Sequence, residues 1–154
     1  YKNFIITVGY IKSNATRVRL FNHIKGMGGI FPVVISPGAY VSKHAFVDEG
    51  TVVMHNAFVN ASARIGKNTI VNTNAIVEHD AVVGDHCHLS TGVLVNGGCQ
   101  IGDHSFIGSN AMIRHSLIIE HHAFVGAGSV VLRNIESYTL YAGNPAILKR
   151  KNNE

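Results

Sequence analysis

Ile65-Gly66-Lys67-Asn68-Thr69-Ile70-Val71-Asn72-Thr73-Asn74-Ala75-Ile76-Val77 carries one pattern twice over. An aliphatic residue is followed by glycine or polar positions, a small residue four places on, and another aliphatic at the sixth. Outward from this stretch the aliphatic recurs without a break: Ile35, Val41, Val47, Val53, Val59, Ile65, Val71, Val77, Val83, Leu89, Val95, Ile101, Ile107, Ile113, Ile119, Val125 and Val131, seventeen in all. The small residue keeps step as Ala39, Ala45, Thr51, Ala57, Ala63, Thr69, Ala75, Ala81 and Cys87, then Ser105, Ala111, Ala123 and Ser129. Glycine recurs directly after the aliphatic at 66, 84, 102, 108 and 126.

A period of six is neither the 3.6 of a helix nor the alternation of a lone strand. It suits a prism whose every side is a short strand plus a corner. Three such sides make a coil of 3 × 6 = 18 residues, and seventeen hexads make 17/3, about five and two-thirds, coils. Aliphatics point inward, small residues pack at crowded corners, and Gly and Asn relax the corner backbone. Successive coils stack as parallel strands ~4.8 Å apart, and stacking rather than any single coil supplies the core. The reading is an all-β solenoid over residues 35–136.

The flanks break the period. Phe4-Ile5-Ile6-Thr7-Val8-Gly9 reads as a strand, and residues 14–25 as an amphipathic helix with Asn14 as N-cap and Gly26, Gly28 and Gly29 ending it. Phe31 to Ile35 leads into the solenoid. This order resembles the closing βαβ part of a Rossmann-like domain, expected over residues 1–34. Tyr141-Ala142-Gly143-Asn144-Pro145-Ala146 is turn-forming, so residues 137–154 are expected to be a loop and tail.

Composition narrows the classes. Among 154 residues, charged ones make up 14% and apolar ones 46%, which excludes disorder. No apolar run reaches the ~20 residues of a transmembrane helix, and no secretory signal opens the chain. The first residue is Tyr1, so a longer polypeptide is expected upstream. Net charge is +4, with Lys12, Arg17, Arg19 and Lys25 near one end and Lys149, Arg150 and Lys151 near the other. These suit a solvated surface or a phosphorylated ligand. No basic stripe with interleaved aromatics argues for nucleic acid. Cys87 and Cys99 lack any metal-binding spacing and read as buried free thiols, as in a reducing cytoplasm.

Ten histidines are many for this length. His44, His55, His86, His104, His115, His121 and His122 fall at corners and read as exposed. His79 is followed at once by Asp80. An imidazole of near-neutral pKa suits removal of a proton from an attacking nitrogen, and a carboxylate fixes its tautomer. Simple adjacency also fits two unconnected surface residues. His88 holds a hexad position where neighbours carry Phe46, Phe58, Ile70 and Phe106, so it reads equally as a satisfied interface histidine or a ligand contact.

The run from Asn72 to Ser90, with Glu78-His79-Asp80 and His88-Leu89-Ser90, resembles the sialic acid O-acetyltransferase and bacterial sugar acyltransferase family of hexapeptide-repeat proteins. The likeness extends to Val8-Gly9 through Arg17, Val34-Ile35-Ser36-Pro37 and Gly143-Asn144-Pro145-Ala146. It implies a left-handed parallel β-helix. It also implies a homotrimer that holds acetyl-CoA in grooves between subunits, with the active sites there. His79 would be the general base and Asp80 its support. His88, Gly97, Ser109 and Ala127 would contact acetyl-CoA, with the Gly97 N–H near the thioester, and Asn72 would contact the acceptor. The implied reaction acetylates the amino group of a UDP- or dTDP-linked amino sugar for surface polysaccharide or glycan synthesis. It is cytoplasmic, proceeds without a metal and involves neither nucleic acid nor membrane insertion. A sugar or sialic acid hydroxyl is the alternative acceptor. With a His-Asp pair and no placed Ser or Cys nucleophile, transfer is expected to be direct.

Two other classes share the solenoid. One is a γ-carbonic-anhydrase-like metal enzyme: His79 and His115 stack in one column two coils apart, but no two histidines lie five apart, and Glu120 stands where the third ligand would fall. The other is a non-catalytic trimeric scaffold.

Overall fold

A computed structural model describes residues 2–151. Seventeen two-residue strands, β1 (Val34–Ile35) through β17 (Val130–Val131), follow one another every six residues. Each pairs in parallel with the strand eighteen residues away, as Val52↔Ile70 and Leu94↔Met112 do. Three sheets result, forming the three faces of a β-solenoid of about six turns, the architecture of the left-handed hexapeptide helix. The first face begins at Val34–Ile35, the second at Tyr40–Val41 and the third at Phe46–Val47.

From Val52–Val53 onward the second residue of each of these strands is buried, whereas Ile35 at the open end is exposed. Val59, Ile65, Val71, Val77, Leu89, Val95, Ile107, Ile113, Ile119 and Val125 are fully buried. The small residues sit at the corners, also buried, and some carry polar work. Thr51 Oγ1 donates to the Gly66 carbonyl and accepts from the Thr69 amide at 3.0 Å. Thr69 does the same between Gly84 and Cys87, and Ser105 between Glu120 and Ala123. One corner is thereby stitched from coil to coil by hydroxyls. Cys87 occupies a rung of that ladder, its thiol turned to the Gly102 carbonyl at 3.2 Å, and both cysteines are free and buried as expected.

Glycine plays a different part from the one expected. The left-handed backbone region is entered at residue 50 and every sixth residue after it to 128, filled by Asn, Asp, His, Ser or Gly. The glycines directly after the aliphatic are not among these positions. A Cβ on Gly108 would lie 2.5 Å from the Ala127 amide nitrogen. These glycines let the next coil come close.

Before the solenoid, α1 (Ala15–Gly26) buries Arg17 and Phe21. Phe21 packs with Ile6 and Phe31 into a small second core. The expected strand at 4–9 reduces to a single parallel bridge, Asn3↔Ile30. The carbonyls that would extend it are taken by the buried Arg17, whose Nη1 donates to Ile6 at 2.6 Å and Val8 at 3.1 Å. Asn14 precedes the helix but makes no side-chain cap. Its Nδ2 reaches the His86 carbonyl and His104 Nδ1 instead.

The tail is not a loop. β18 (Thr139–Ala142) continues the first face beside Phe124–Val125 and turns into antiparallel β19 (Ile147–Lys151). The Ala146 amide bonds to the Val130 carbonyl, so the hairpin closes the top of the prism. Only residues 152–154 of the expected tail lie outside the described residues.

The two kinds of glycine give opposite expectations. Gly108→Ala should lower stability by roughly 1–3 kcal/mol, because backbone meets backbone. Gly128→Asn, at a left-handed corner with open space around its Cβ, should be close to neutral. Thermal melts of the two variants test this, and equal losses would refute the distinction.

Candidate active site

The expected site residues fall at three places in one chain. His79 and Asp80 leave the solenoid at the edge between second and third faces, following Ile76–Val77. There Asp80 is itself at a left-handed corner. His79 Nδ1 lies 2.8 Å from Asp80 Oδ2, with both side chains well exposed. The carboxylate accepts the Nδ1 proton, which leaves the Nε2 lone pair free. One coil up, Gly97 lies against the imidazole. A Cβ there would come within 2.7 Å of His79 Cε1 and 2.8 Å of Nε2. Among the described residues the Gly97 amide has no acceptor. The His79 imidazole and the free N–H donor therefore share one concavity of about 530 Å³ with Glu78, Asn96 and His115.

Glu78, Asn96 and His115 were not singled out as acyl-transfer residues by the sequence reading. The period shows them: 78, 96, 79, 97 and 115 belong to two neighbouring columns repeated every eighteen residues. Glu78 is held by Asn60, whose Nδ2 donates to Oε2 at 2.6 Å. Glu120 lies apart from His79 and His115. It follows Ile118–Ile119 on the edge between third and first faces, where its carboxylate accepts from the Ser137 amide at 2.9 Å. Among the described residues no three His, Cys, Asp or Glu side chains converge in a metal-holding group.

His88 is elsewhere, on the first face and only 7% exposed. Its Nδ1 lies 2.9 Å from the Tyr10 carbonyl, so Nδ1 carries the proton. Asn72 Nδ2 approaches Nε2 at 3.3 Å. Tyr10 and Phe106 pack against the ring at 5.4 and 5.2 Å. Burial holds His88 below the ordinary imidazole range, against the pull of the Tyr10 carbonyl, and Arg17 adds to the depression. It is a neutral, oriented imidazole. Tyr10 lies outside the repeat, and no sequence signal marks its contact.

Asn72, Ser109 and Ala127 lie on the edge between first and second faces. Ser109 Oγ meets Ser90 Oγ at 2.9 Å. One chain thus presents the His79 imidazole and the Gly97 N–H on one edge of the second face, and His88, Asn72, Ser109 and Ala127 on or beside the other. Neither cysteine offers an alternative nucleophile, since burial pushes the Cys87 thiol up to about 12 and raises Cys99 as well.

The remaining corner carries an aromatic column. His86, His104, His122 and Tyr138 stack at 5.1, 4.5 and 4.7 Å. Phe21 meets His86 edge-on. These histidines, read from sequence as exposed, are half-buried. Burial is the first cause that lowers all three, with the neighbouring imidazole next for His104 and His122.

The chain matches the model described as bacterial transferase hexapeptide (six repeats) over residues 62–97 and 98–133. No curated protein matches. Among solved structures, the acetyltransferase domain of PglB from Neisseria gonorrhoeae FA1090 is 34% identical, with a TM-score of 0.87 over 90% of this chain and 67% of that one. PerB from Caulobacter crescentus, in complex with CoA and GDP-perosamine, is 32% identical, with a TM-score of 0.92 over 97% and 70%. WeeI from Acinetobacter baumannii AYE is 27% identical, with a TM-score of 0.89 over 95% and 70%.

Four imidazoles, His86, His88, His104 and His122, bind protons less readily folded than unfolded. Unfolding then takes up protons, so stability is complete above the unfolded pKa of about 6.5 and falls as pH drops below it. Melting temperature should decline from pH 7.5 toward pH 5. His104→Asn, which suits the left-handed corner, should flatten that slope. An unchanged slope would exclude the column as its source.

Proposed function

Because this chain belongs to the hexapeptide-repeat transferases, with sugar N-acetyltransferases of the left-handed β-helix type as structural neighbours, we propose that it transfers an acetyl group from acetyl-CoA to the amino group of a nucleotide-linked amino-deoxy sugar. The observation that carries the chemistry is the His79-Asp80 pair against Gly97: a base with a free Nε2 beside an unused N–H donor.

The steps follow from that geometry. The acceptor nitrogen attacks the thioester carbonyl carbon while His79 Nε2 takes its proton, and Asp80 stabilises the imidazolium. The carbonyl oxygen becomes an oxyanion that accepts from the Gly97 N–H. Collapse re-forms the carbonyl, breaks the C–S bond and expels the CoA thiolate, which receives the proton from His79. The products are the amide and CoA. With both thiols buried, no acyl-enzyme is invoked.

The working unit is a homotrimer. Outward residues of the second face are Tyr40, Phe58, Ile76, Leu94, Met112 and Val130, all apolar, and Tyr40 and Phe58 stack at 4.9 Å. The third face is mixed, with Arg64 and Gln100. Three second faces turned to a common axis bury the apolar ladder. Each subunit's His79 edge then meets the neighbour's Asn72, Ser109 and Ala127 edge, beside His88. Acetyl-CoA lies in that cleft, its thioester near His88 and Gly97, and Asn72 faces the acceptor.

Residues 1–34 are read as the closing part of a Rossmann-like sugar-nucleotide domain. The parallel bridge across α1 and the exposure of Ile5, Val8, Met27 and Ile30 support this. No described helix is long and apolar enough to cross a membrane. A nucleotide-linked acceptor and unpaired buried thiols suit a cytoplasmic enzyme feeding surface polysaccharide or glycan assembly.

Thiol release from acetyl-CoA against a panel of nucleotide amino sugars tests the reaction. His79→Ala at saturating acetyl-CoA should lower turnover by roughly 10²–10⁴-fold. Near-normal turnover would sink the assignment. Gly97→Ala, which forces the imidazole aside, should lower turnover without lowering thermal stability.

Leu94→Glu tests the assembly. Light scattering should report monomers and activity should vanish although His79 is intact. A monomeric enzyme that keeps its activity would exclude a site shared between subunits.

A further inference from the structure

His88 owes its protonation pattern to a residue outside the repeat. Its Nδ1 lies 2.9 Å from the Tyr10 carbonyl, which can only accept, so Nδ1 holds the single proton of the neutral ring. Burial keeps a second proton off. The group near Nε2 is the Asn72 side-chain amide, whose oxygen is already taken by the Thr73 N–H at 2.8 Å. Its nitrogen therefore faces Nε2 as a donor, at a long 3.3 Å. Nε2 is an acceptor with its lone pair only weakly engaged.

The position of that carbonyl depends on the Tyr10 side chain. Among the described residues, no main-chain group of residues 5–13 bonds to another main-chain group. The stretch is held through side chains instead. Arg17 takes the Ile6 and Val8 carbonyls. The Tyr10 hydroxyl donates to the His86 carbonyl at 2.7 Å, with the Ser105 carbonyl at 3.3 Å. Its ring packs against His88 at 5.4 Å and Phe106 at 6.0 Å. One residue thus grips the corner with its hydroxyl and His88 with its carbonyl.

We propose that Tyr10 is a positioning residue of the acetyl-CoA site, locking His88 as the hydrogen-bond acceptor for the pantetheine amide N–H nearest the thioester. This rests on the transfer reading and deepens it. A thioester oxygen needs a donor, which Nε2 is not in this tautomer; that role falls to the Gly97 N–H. The pantetheine amide, two carbons from the sulfur, needs an acceptor, and His88 offers one. Donor recognition and oxyanion stabilisation are then divided between opposing edges of neighbouring subunits. Only the second is specific to the transition state, so a misaligned His88 weakens donor binding more than turnover.

Two-bond proton–nitrogen spectra of the imidazoles read the tautomer in the full chain. The His88 signal is identified by its loss in His88→Phe, a residue its column already carries at Phe106 and Phe124. Near neutral pH it should show Nδ1 protonated and Nε2 bare. Tyr10→Ala should mix in the Nε2-protonated form and raise the calorimetric Kd for acetyl-CoA about tenfold, the loss of one hydrogen bond. Tyr10→Phe, which keeps the ring and loses only the hydroxyl, should move both readouts the same way by about threefold in Kd, and carries the test if Tyr10→Ala does not fold. In thiol release the loss should fall on KM for acetyl-CoA rather than on kcat. A merely structural role would lower melting temperature and the active fraction, hence kcat, and leave KM alone. An Nε2-protonated His88 in the unsubstituted chain, a tautomer indifferent to both substitutions, or a loss confined to kcat would each overturn the proposal. His79-dependent release with unchanged KM in both variants keeps the transfer reading and rejects this one. A Tyr10-dependent tautomer and acetyl-CoA affinity, without release to any acceptor, does the reverse.

Discussion

Every six residues the backbone turns a corner through the left-handed region, and the rest of the molecule depends on those turns recurring in register. For an L-residue this conformation costs roughly 1–2 kcal/mol, and Asn, Asp and Gly bear it best. The chain meets it with Asn56, Asn68, Asn74, Asp80, Asn110 and several glycines, and at one column with His86, His104 and His122. Because the corners recur at a constant interval, strands eighteen residues apart face one another and the inward aliphatics of successive coils touch. A coil of nineteen residues would turn them outward.

The same corners carry the groups of the proposed chemistry. Side chains at a corner diverge from the prism, so a functional group there is exposed while its backbone stays rigid. His79 and Asp80 occupy adjacent corner positions, and the left-handed conformation of Asp80 accompanies the 2.8 Å contact to His79 Nδ1. The flat stacking that makes the solenoid also fixes what lies one coil above, and at His79 that is a glycine. Gly97 is thus doubly used: its missing Cβ admits the imidazole, and its N–H is left open. The geometry also separates His79 from His88 by the width of the prism. A convex solenoid has no interior for a ligand, so sites must form where edges of two copies meet or where an appended element overlies a face.

The period made most of this legible from sequence. Seventeen aliphatics set the faces, and intervals of eighteen set the columns, so the stacking of His79 and His115 followed directly, whereas Gly97 entered through the family resemblance. The inward burial of Cys87 and Cys99 followed as well. Handedness came from family resemblance alone. What stayed hidden lies where the period does not reach. The Tyr10–His88 contact joins residues seventy-eight apart, one of them in an aperiodic segment. The strand expected at 4–9 failed because Arg17 captures its carbonyls, a tertiary interaction no local pattern announces. The tail read as loop because its turn residues were visible while its pairing partner, Phe124–Val125, lay on the solenoid. The corner glycines were read as flexible joints because Gly is permissive, whereas at 108 the constraint is the backbone of the coil above.

Tyr10 is where these separate features meet. Its hydroxyl donates to the His86 carbonyl at 2.7 Å, with the Ser105 carbonyl at 3.3 Å, which pins the N-terminal segment to the corner column. Its carbonyl accepts from His88, and burial holds its phenol protonated, so the donor is never lost near neutral pH. Asn14 adds a second anchor on His86 and His104. The segment is therefore held by the solenoid's own corner rather than by a continuous sheet. Its fixed position decides the tautomer of His88 on one side and on the other walls a groove of about 660 Å³ beside the column of His104, His122 and Tyr138. A change in how the segment seats on the column must alter both at once, because one residue supplies the contact to each.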